Sequence, residues 1–404
     1  MSSFGFTFLS RKALGQAEQL MFGGAAGVRD EVGFLIVHQR YSDRFFPGTS
    51  VLHTRLRYAL LIPWIYETLR ESRHVTKDFA KAYEEMEHTL TGRLKLTEDG
   101  GESDGVIGGD VYPRSISQPP SFVYWTALTK WGVIGSRPDG RPWSRSDMAK
   151  LLASTRSRSP KDDDGRPLEH THWPISGLPE RPKGWLTNEK MTLTPSKPEA
   201  RFLAGKLSAV RSPNNPSEPS LLARLVGKPV DDANHCWDES ILALAGPEVA
   251  ALKRAGQAAA LSAIGRAVYA ALVETIKDER DKRPATTIHR QRLSETIDTW
   301  GKSASKLDMT AFLGDMNKLP GQVETMLNET WTWVRRGETD PMLLLEHYAR
   351  AERSRKNERA RLSDNQFGVD RRLEWRAEDH GRAEPLHFRW GNVKRLLRDT
   401  VGIS

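Results

Sequence analysis

The sequence has almost no cysteine, since Cys236 is the single one among 404 residues. This excludes a disulfide within the chain and a zinc site built from several cysteines. Such usage is typical of a reducing compartment, and the first residues lack the apolar core of a signal peptide. The most apolar stretch, residues 58–66, is far shorter than the roughly 20 residues of a membrane-spanning helix. We therefore expect a cytoplasmic protein with no membrane partner.

Local catalytic motifs are also missing. The chain contains no G-x-x-x-x-G-K-[ST] loop, no dinucleotide-binding fingerprint and no zinc-binding H-E-x-x-H sequence. Their absence argues against NTP hydrolysis by the familiar phosphate loop, predicts no cofactor and favours a non-enzymatic role. Distant Glu, Arg and His residues can still assemble a site in space without leaving a local motif. An enzyme therefore stays an alternative.

The charge balance is basic but diffuse. Lys and Arg total 60 against 52 Asp and Glu, which gives a net charge of +8 over the whole chain. A mild, spread excess is typical of a solvated surface of mixed charge, whereas proteins that coat DNA usually concentrate their basic residues. Hydrophobic residues at 38% are enough for a globular core. The sequence thus predicts a folded protein with only a weak indication of an anionic partner.

Periodic apolar residues predict a mainly α, multi-helical fold. The clearest segment is 247–283, where Pro247 suits a first helical turn and an apolar stripe runs beside many alanines. A short apolar run at 34–37 fits either a strand or a buried helical turn, so small β elements are allowed for. Other helices are predicted over these segments: 9–27, 49–71, 75–96, 121–134, 144–155, 199–210, 289–303, 308–335, 340–362 and 392–400.

A proline-rich stretch divides the predicted helices. Residues 156–220 carry many prolines and read as an irregular connector that contains some helix. We therefore predict two loosely divided helical domains, 1–155 and 221–404, on either side of it.

Arginine-rich helices supply the candidate nucleic-acid contacts. Residues 350–361 form the densest basic segment, and arginine suits two-pronged contact with phosphate. Residues 47–58 place a Pro-Gly turn before two arginines, an arrangement that could grip a phosphate at a helix start. The competing interpretation is that these cations pair with carboxylates of the chain itself. The predicted contact residues are Arg55, Arg57, Arg355, Lys356, Arg359, Arg361 and Arg395.

Two further patterns have competing interpretations. Segments 121–134 and 144–155 could form a helix-turn-helix in which Arg145 and Lys150 contact phosphates, but their connection is longer than the usual tight turn. Tyr124, Trp125 and Trp131 are more simply core residues. The metal candidates His170, His172, His235, Cys236 and Asp162 to Asp164 have no partners at a recognised spacing, so no metal site is predicted.

Several short sequence blocks are spread, in a fixed order, over nearly the whole chain. They are FFPGTS at 45–50, TRLRY at 54–58, PWIY at 63–66, YW and WG at 124–132, KNERARL at 356–362, and FRW followed by Val393, Leu396 and Leu397. In these blocks the chain resembles an uncharacterised bacterial and archaeal family of about this length. Some members are similar to genes found beside helicase, methyltransferase or phospholipase-like genes in phage-defence islands. The resemblance implies a subunit of a defence complex.

These observations give one leading expectation and two alternatives. The leading one is a non-enzymatic, accessory subunit of a bacterial anti-phage defence system, which contacts DNA or a DNA-processing partner through its Arg-rich helices. One alternative is a metal-dependent nuclease with a spatially assembled acidic site. The other is a helical scaffold that binds partner proteins through the 247–283 helix and exposed tryptophans.

Overall fold

The computed structural model describes residues 30–72, 78–96, 105–154, 173–187, 191–282 and 286–401. Within these ranges the chain is built from helices and contains no strand, which confirms the mainly α prediction. The β elements allowed for are represented by two isolated bridges, Ile134 with Ile175 and Arg211 with Pro219. The 34–37 run is helical, and the predicted helix over 9–27 lies outside the described residues.

The described residues divide into two compact units, each made of separate chain segments. Within the described ranges, unit 1 draws on residues 30–43 and 233–390, and unit 2 on residues 44–232 and 391–401. The predicted domain boundaries at 155 and 220 stay a prediction. Unit 1 contains most of α1 (Phe34–Phe45), then α8 (Glu239–Leu242), α9 (Val249–Thr275), α10 (Ile288–Ala304), α11 (Met309–Met316), α12 (Gly321–Arg335), α13 (Leu345–Lys356) and α14 (Gln366–Leu373).

The remaining helices belong to unit 2, which also contains Arg55 and Arg57. They are α2 (Tyr58–Glu71), α3 (Phe79–Leu96), α4 (Pro120–Lys130), α5 (Arg145–Ser154), α6 (Lys197–Ser208), α7 (Leu221–Leu225) and nearly all of α15 (Trp390–Arg398). The sequence did not predict α7, α8 or α14, because each is too short to show a clear apolar period.

Helix α9 forms the centre of unit 1. Its alanines and glycines let neighbouring helices approach closely, and nearly every residue from Ala251 onward is buried. A Cβ atom on Gly265 would lie 2.2 Å from Cζ of Phe34, so only glycine fits at that contact. The helical stretch Gly246–Arg280 is long and apolar enough to cross a membrane, but its apolar window is wholly buried inside the structure. The helix named in the scaffold alternative is therefore buried along this window, and the alternative itself stays a prediction.

The helices predicted over 308–335 and 49–71 are wrong in extent. The helix predicted over 308–335 is interrupted, because Asn317 takes a left-handed conformation and Pro320 directly precedes α12. The helix predicted to begin at Thr49 instead begins at Tyr58. The Thr49 hydroxyl donates to the carbonyl of Phe46 at 2.7 Å and so closes a turn instead of capping a helix.

Candidate nucleic-acid interface

The basic segment 350–361 ends its helix earlier than the sequence predicts. Helix α13 stops at Lys356, and Asn357 has a φ of 51°, which a helix cannot continue through. A short 3₁₀ turn, Asn357–Arg359, follows. Basic residues in the last turn of α13 are stabilised by the partial negative charge at a helix C-terminus. The predicted single helix over 340–362 is therefore wrong at its end.

Arg355 is held by a buried carboxylate far away in the sequence. Its Nη2 atom lies 2.9 Å from Oδ2 of Asp30, whose side chain is fully buried. The other oxygen of Asp30 accepts a hydrogen bond from the backbone N–H of Gly33 at 2.9 Å, just before α1. Because a buried carboxylate without a cation is costly, Arg355 has a structural task in unit 1.

Lys356 and Arg361 share a second buried carboxylate, that of Glu31. Arg361 Nη1 lies 2.8 Å from Glu31 Oε1, and Lys356 pairs with the same side chain. Next to them, buried Glu352 accepts from the Tyr269 hydroxyl and from the backbone N–H of Leu362. Burial raises the pKa of Glu352, while those hydrogen bonds and Arg361 oppose the rise.

Arg55 and Arg57 each form an ion pair within unit 2. Arg55 Nη2 lies 3.0 Å from Oδ1 of Asp399, and Arg57 Nη2 lies 2.7 Å from Oε1 of Glu199. Arg57 also donates to the carbonyl oxygen of Thr192 at 2.6 Å. The backbone at Arg55 is held by the Tyr124 hydroxyl, which donates a hydrogen bond to the carbonyl oxygen of Arg55 at 2.7 Å.

Most of the predicted contact residues thus neutralise carboxylates of the chain itself. Their partners lie up to 344 positions away, so local sequence reasoning has no signal that could find them. Within the described ranges, no ion pair is found for the remaining two. Arg359 is exposed, whereas Arg395 is half-buried on α15. Whether any of the seven binds nucleic acid stays a prediction.

An aromatic side chain lies on the element that packs beside Arg359. The 3₁₀ turn that carries Arg359 packs against α14, and α14 leaves Phe367 57% exposed. Arg353, near the end of α13, is also exposed. We call Arg353, Arg359 and Phe367 the arginine–phenylalanine surface. Sequence reasoning missed Phe367, although Asn365, whose side chain accepts from the N–H of Gly368 at 2.9 Å, marks the start of α14.

The helix-turn-helix candidate corresponds to α4 and α5. Tyr124 and Trp131 are buried in unit 2, as the simpler interpretation predicts. The Arg145 guanidinium lies over the ring of Phe122, 5.1 Å from its centroid, and Lys150 is exposed. Groove recognition by these two cations stays a prediction.

The candidate metal ligands do not form a centre within the described parts of the chain. His170, His172 and Asp162 to Asp164 lie outside the described residues, and the His235 ring stacks on Trp237 at a centroid distance of 4.6 Å. Cys236 is buried, which raises the pKa of its thiol. No group of three or more His, Cys, Asp or Glu that could hold a metal ion is found in the described ranges.

Comparison with known proteins gives one match. No curated protein and no solved structure matches the chain. A family model described as a family of unknown function, DUF6361, matches residues 15–277, about two thirds of the chain. The match agrees with the resemblance to an uncharacterised family, and the chain belongs to this family of unknown function, DUF6361.

Proposed function

We propose that this chain is a non-enzymatic, DNA-associated subunit of a bacterial anti-phage defence system, and that it contacts DNA through the arginine–phenylalanine surface. The supporting observation is the exposed Arg359, with no ion pair among the described residues, on a turn that packs against the helix bearing exposed Phe367. The defence setting and a cytoplasmic location rest on the family resemblance and on the composition.

Each side chain of this surface suits a different part of a nucleic acid. The guanidinium groups of Arg353 and Arg359 can each make a two-pronged contact with phosphate without first breaking a described ion pair. The ring of Phe367 offers a face on which an unpaired base can stack, worth about 1–3 kcal/mol per base. A cationic and aromatic surface of this kind favours single-stranded over double-stranded DNA.

The test is fluorescence anisotropy of the full chain with labelled single-stranded and double-stranded DNA over a salt series. The double variant Arg353→Ala, Arg359→Ala should make the negative slope of log affinity against log salt shallower. The change should be about 0.7 for each phosphate that the variant no longer neutralises on single-stranded DNA. Phe367→Ala should weaken single-stranded binding about tenfold and affect duplex binding less. The matched control is Lys302→Ala with Arg336→Ala, which removes two other exposed cations.

Three outcomes would contradict this proposal. If the chain does not bind DNA at low salt, the proposed DNA contact is wrong. If the test pair and the control pair weaken binding equally, the assignment to the arginine–phenylalanine surface is wrong. Cleavage of labelled DNA in Mg²⁺ that stops with EDTA would instead favour the metal-dependent nuclease.

A protein-binding scaffold is the second candidate. The observation in its favour is that α14 exposes Leu373 as well as Phe367, to 45% and 57%. Exposed apolar side chains of this size mark protein contacts when they are contiguous. A stable stoichiometric partner that co-purifies without nucleic acid would favour the scaffold. Its binding should be lost in Phe367→Ala and kept in Arg359→Ala.

A further inference from the structure

Unit 2 contains a cavity of about 340 Å³ that no part of the proposed function uses. One wall is a face of α3 with Glu84, Glu87, His88 and Thr91, which follow the i, i+3, i+4, i+7 spacing of a helix. The loop 108–117 and the starts of α4 and α5 complete the lining. A cavity of this size is within the range of small-molecule sites.

Glu87 is a buried carboxylate in this lining. It is 3% exposed, and its two oxygens accept from the backbone N–H of Ser121 at 2.6 Å and from the Ser121 hydroxyl at 3.1 Å. Burial raises the pKa of Glu87 to about 7, and Glu84 adds to the rise, while Ser121 and Arg145 oppose it. Near neutral pH this side chain can therefore accept or donate a hydrogen bond.

The other titratable groups around Glu87 come from α2, α3 and α5, and they include Glu84 and His88 beside it on α3. Tyr83 lies on α3 itself and Tyr66 on α2, and burial raises the pKa of both phenols, so both are neutral near pH 7. Arg145 at the start of α5 is the cation that acts on Glu87. Glu87 therefore changes its protonation near neutral pH, while the two phenols keep theirs.

The cavity also contains cations and an aromatic ring. Arg114 is exposed at its edge and has no ion pair among the described residues. Arg145 lies over the Phe122 ring, and both line the cavity. The His88 ring nitrogen Nε2 lies 2.8 Å from the carbonyl oxygen of Pro113, which fixes the loop against α3. The two guanidinium groups suit a phosphate, and the Glu87 carboxylate suits the N–H donors at the edge of a base.

We propose that this cavity binds a purine nucleoside monophosphate, with Arg114 and Arg145 at the phosphate and the Glu87 carboxylate accepting hydrogen bonds from the edge of the base. Guanine is the base that fits best, because its Watson–Crick edge carries adjacent N–H donors that a carboxylate can accept as a pair. The site is separate from the arginine–phenylalanine surface, so each can fail without the other.

Isothermal titration of the full chain with GMP, guanosine and inorganic phosphate separates the contributions. We expect GMP to bind at least tenfold more tightly than either fragment, and Arg114→Ala to weaken GMP binding at least tenfold. Arg141→Ala is the matched control, since Arg141 is exposed, pairs with Asp139 and does not line the cavity. It should change GMP affinity less than twofold.

The role of Glu87 is tested by pH. Guanosine lacks a phosphate that titrates, so its affinity should rise about tenfold from pH 6 to pH 8 as Glu87 loses its proton, and should stay flat in Glu87→Gln. No binding of GMP, equal weakening in Arg114→Ala and Arg141→Ala, or inorganic phosphate binding as tightly as GMP would overturn the assignment. Because Arg114 is exposed, its variant remains informative even if Glu87→Gln does not fold.

Discussion

Arg57 and Glu199 form a buried ion pair in which Nη2 and Oε1 are 2.7 Å apart, with side chains 8% and 4% exposed. Glu199 also accepts from the backbone N–H of Ser196 at 2.8 Å through its second oxygen, and so caps the start of α6. The Glu199 carboxylate therefore both holds Arg57 and caps the first turn of α6, a helix far from Arg57 in the sequence.

Removing Arg57 should be costly for stability. Arg57→Ala leaves the Glu199 charge buried without its cation, and we expect the free energy of unfolding to fall by about 3–5 kcal/mol. Arg359→Ala, at an exposed site, should change it by less than about 0.5 kcal/mol. Urea unfolding of both variants measures the difference, and an equal effect would show that Arg57 is not structural.

Gly265 and Gly314 should respond to alanine in opposite directions. In Gly265→Ala the new Cβ would meet Phe34 at 2.2 Å and the Tyr348 hydroxyl at 2.9 Å, so we expect a loss of about 1–3 kcal/mol. Gly314 in α11 has nothing within 4 Å, and alanine there should add up to about 1 kcal/mol through helix propensity. Melting temperatures of the two variants test the close packing around α9.

Glu87 should make the protein less stable as the pH rises. The pKa of its carboxyl is about 7 in the folded chain against 4.5 for the unpaired group, so between these values the folded state holds a proton that the unfolded state has lost. Stability therefore falls from about pH 4.5 to about pH 7, by on the order of 3 kcal/mol. Glu87→Gln should stabilise the chain at pH 8 and change little at pH 5.

The control for Glu87 is Glu85→Gln, an exposed glutamate on the same helix that does not line the cavity. Urea midpoints at the two pH values should be nearly unchanged relative to the parent. A Glu87→Gln variant that is destabilised equally at pH 5 and pH 8 would contradict the assignment.

His38 should make the protein sensitive to acid. Burial, then the charges of His387, Arg389 and Arg266, hold its pKa well below 6.5, and its Nε2 atom has no hydrogen-bond partner among the described residues. Below pH 6.5 the unfolded chain takes up a proton that the folded chain refuses, so stability is lost as the pH falls.

His38→Gln should reduce that loss, because glutamine carries no titrating group. Unfolding free energies at pH 7.5, 6.5 and 5.5 give the slope, with His347→Gln, at a half-buried position of the same unit, as the control. A slope that is the same in the parent and in His38→Gln would rule out His38 as its source.

The long helices could be predicted from the sequence, whereas several of their ends could not. Helix α9 was found from its apolar and alanine-rich pattern, because a long segment carries enough turns for the period to show. The end of α13 at Asn357 and the break between α11 and α12 depend on left-handed residues that a periodic pattern passes over. Pro320 was a visible signal for the second of these.

The sequence by itself determined the helical fold class and membership of the family, because both are carried by local patterns and by short ordered blocks. Only the tertiary structure decided which arginines form ion pairs with carboxylates of the chain. Arg355 and Asp30 are 325 positions apart, and their contact exists only once folding brings the segment before α1 to the last turn of α13 in unit 1. A charged side chain has no fixed role in the sequence, since its role depends on the carboxylates that folding brings within about 4 Å.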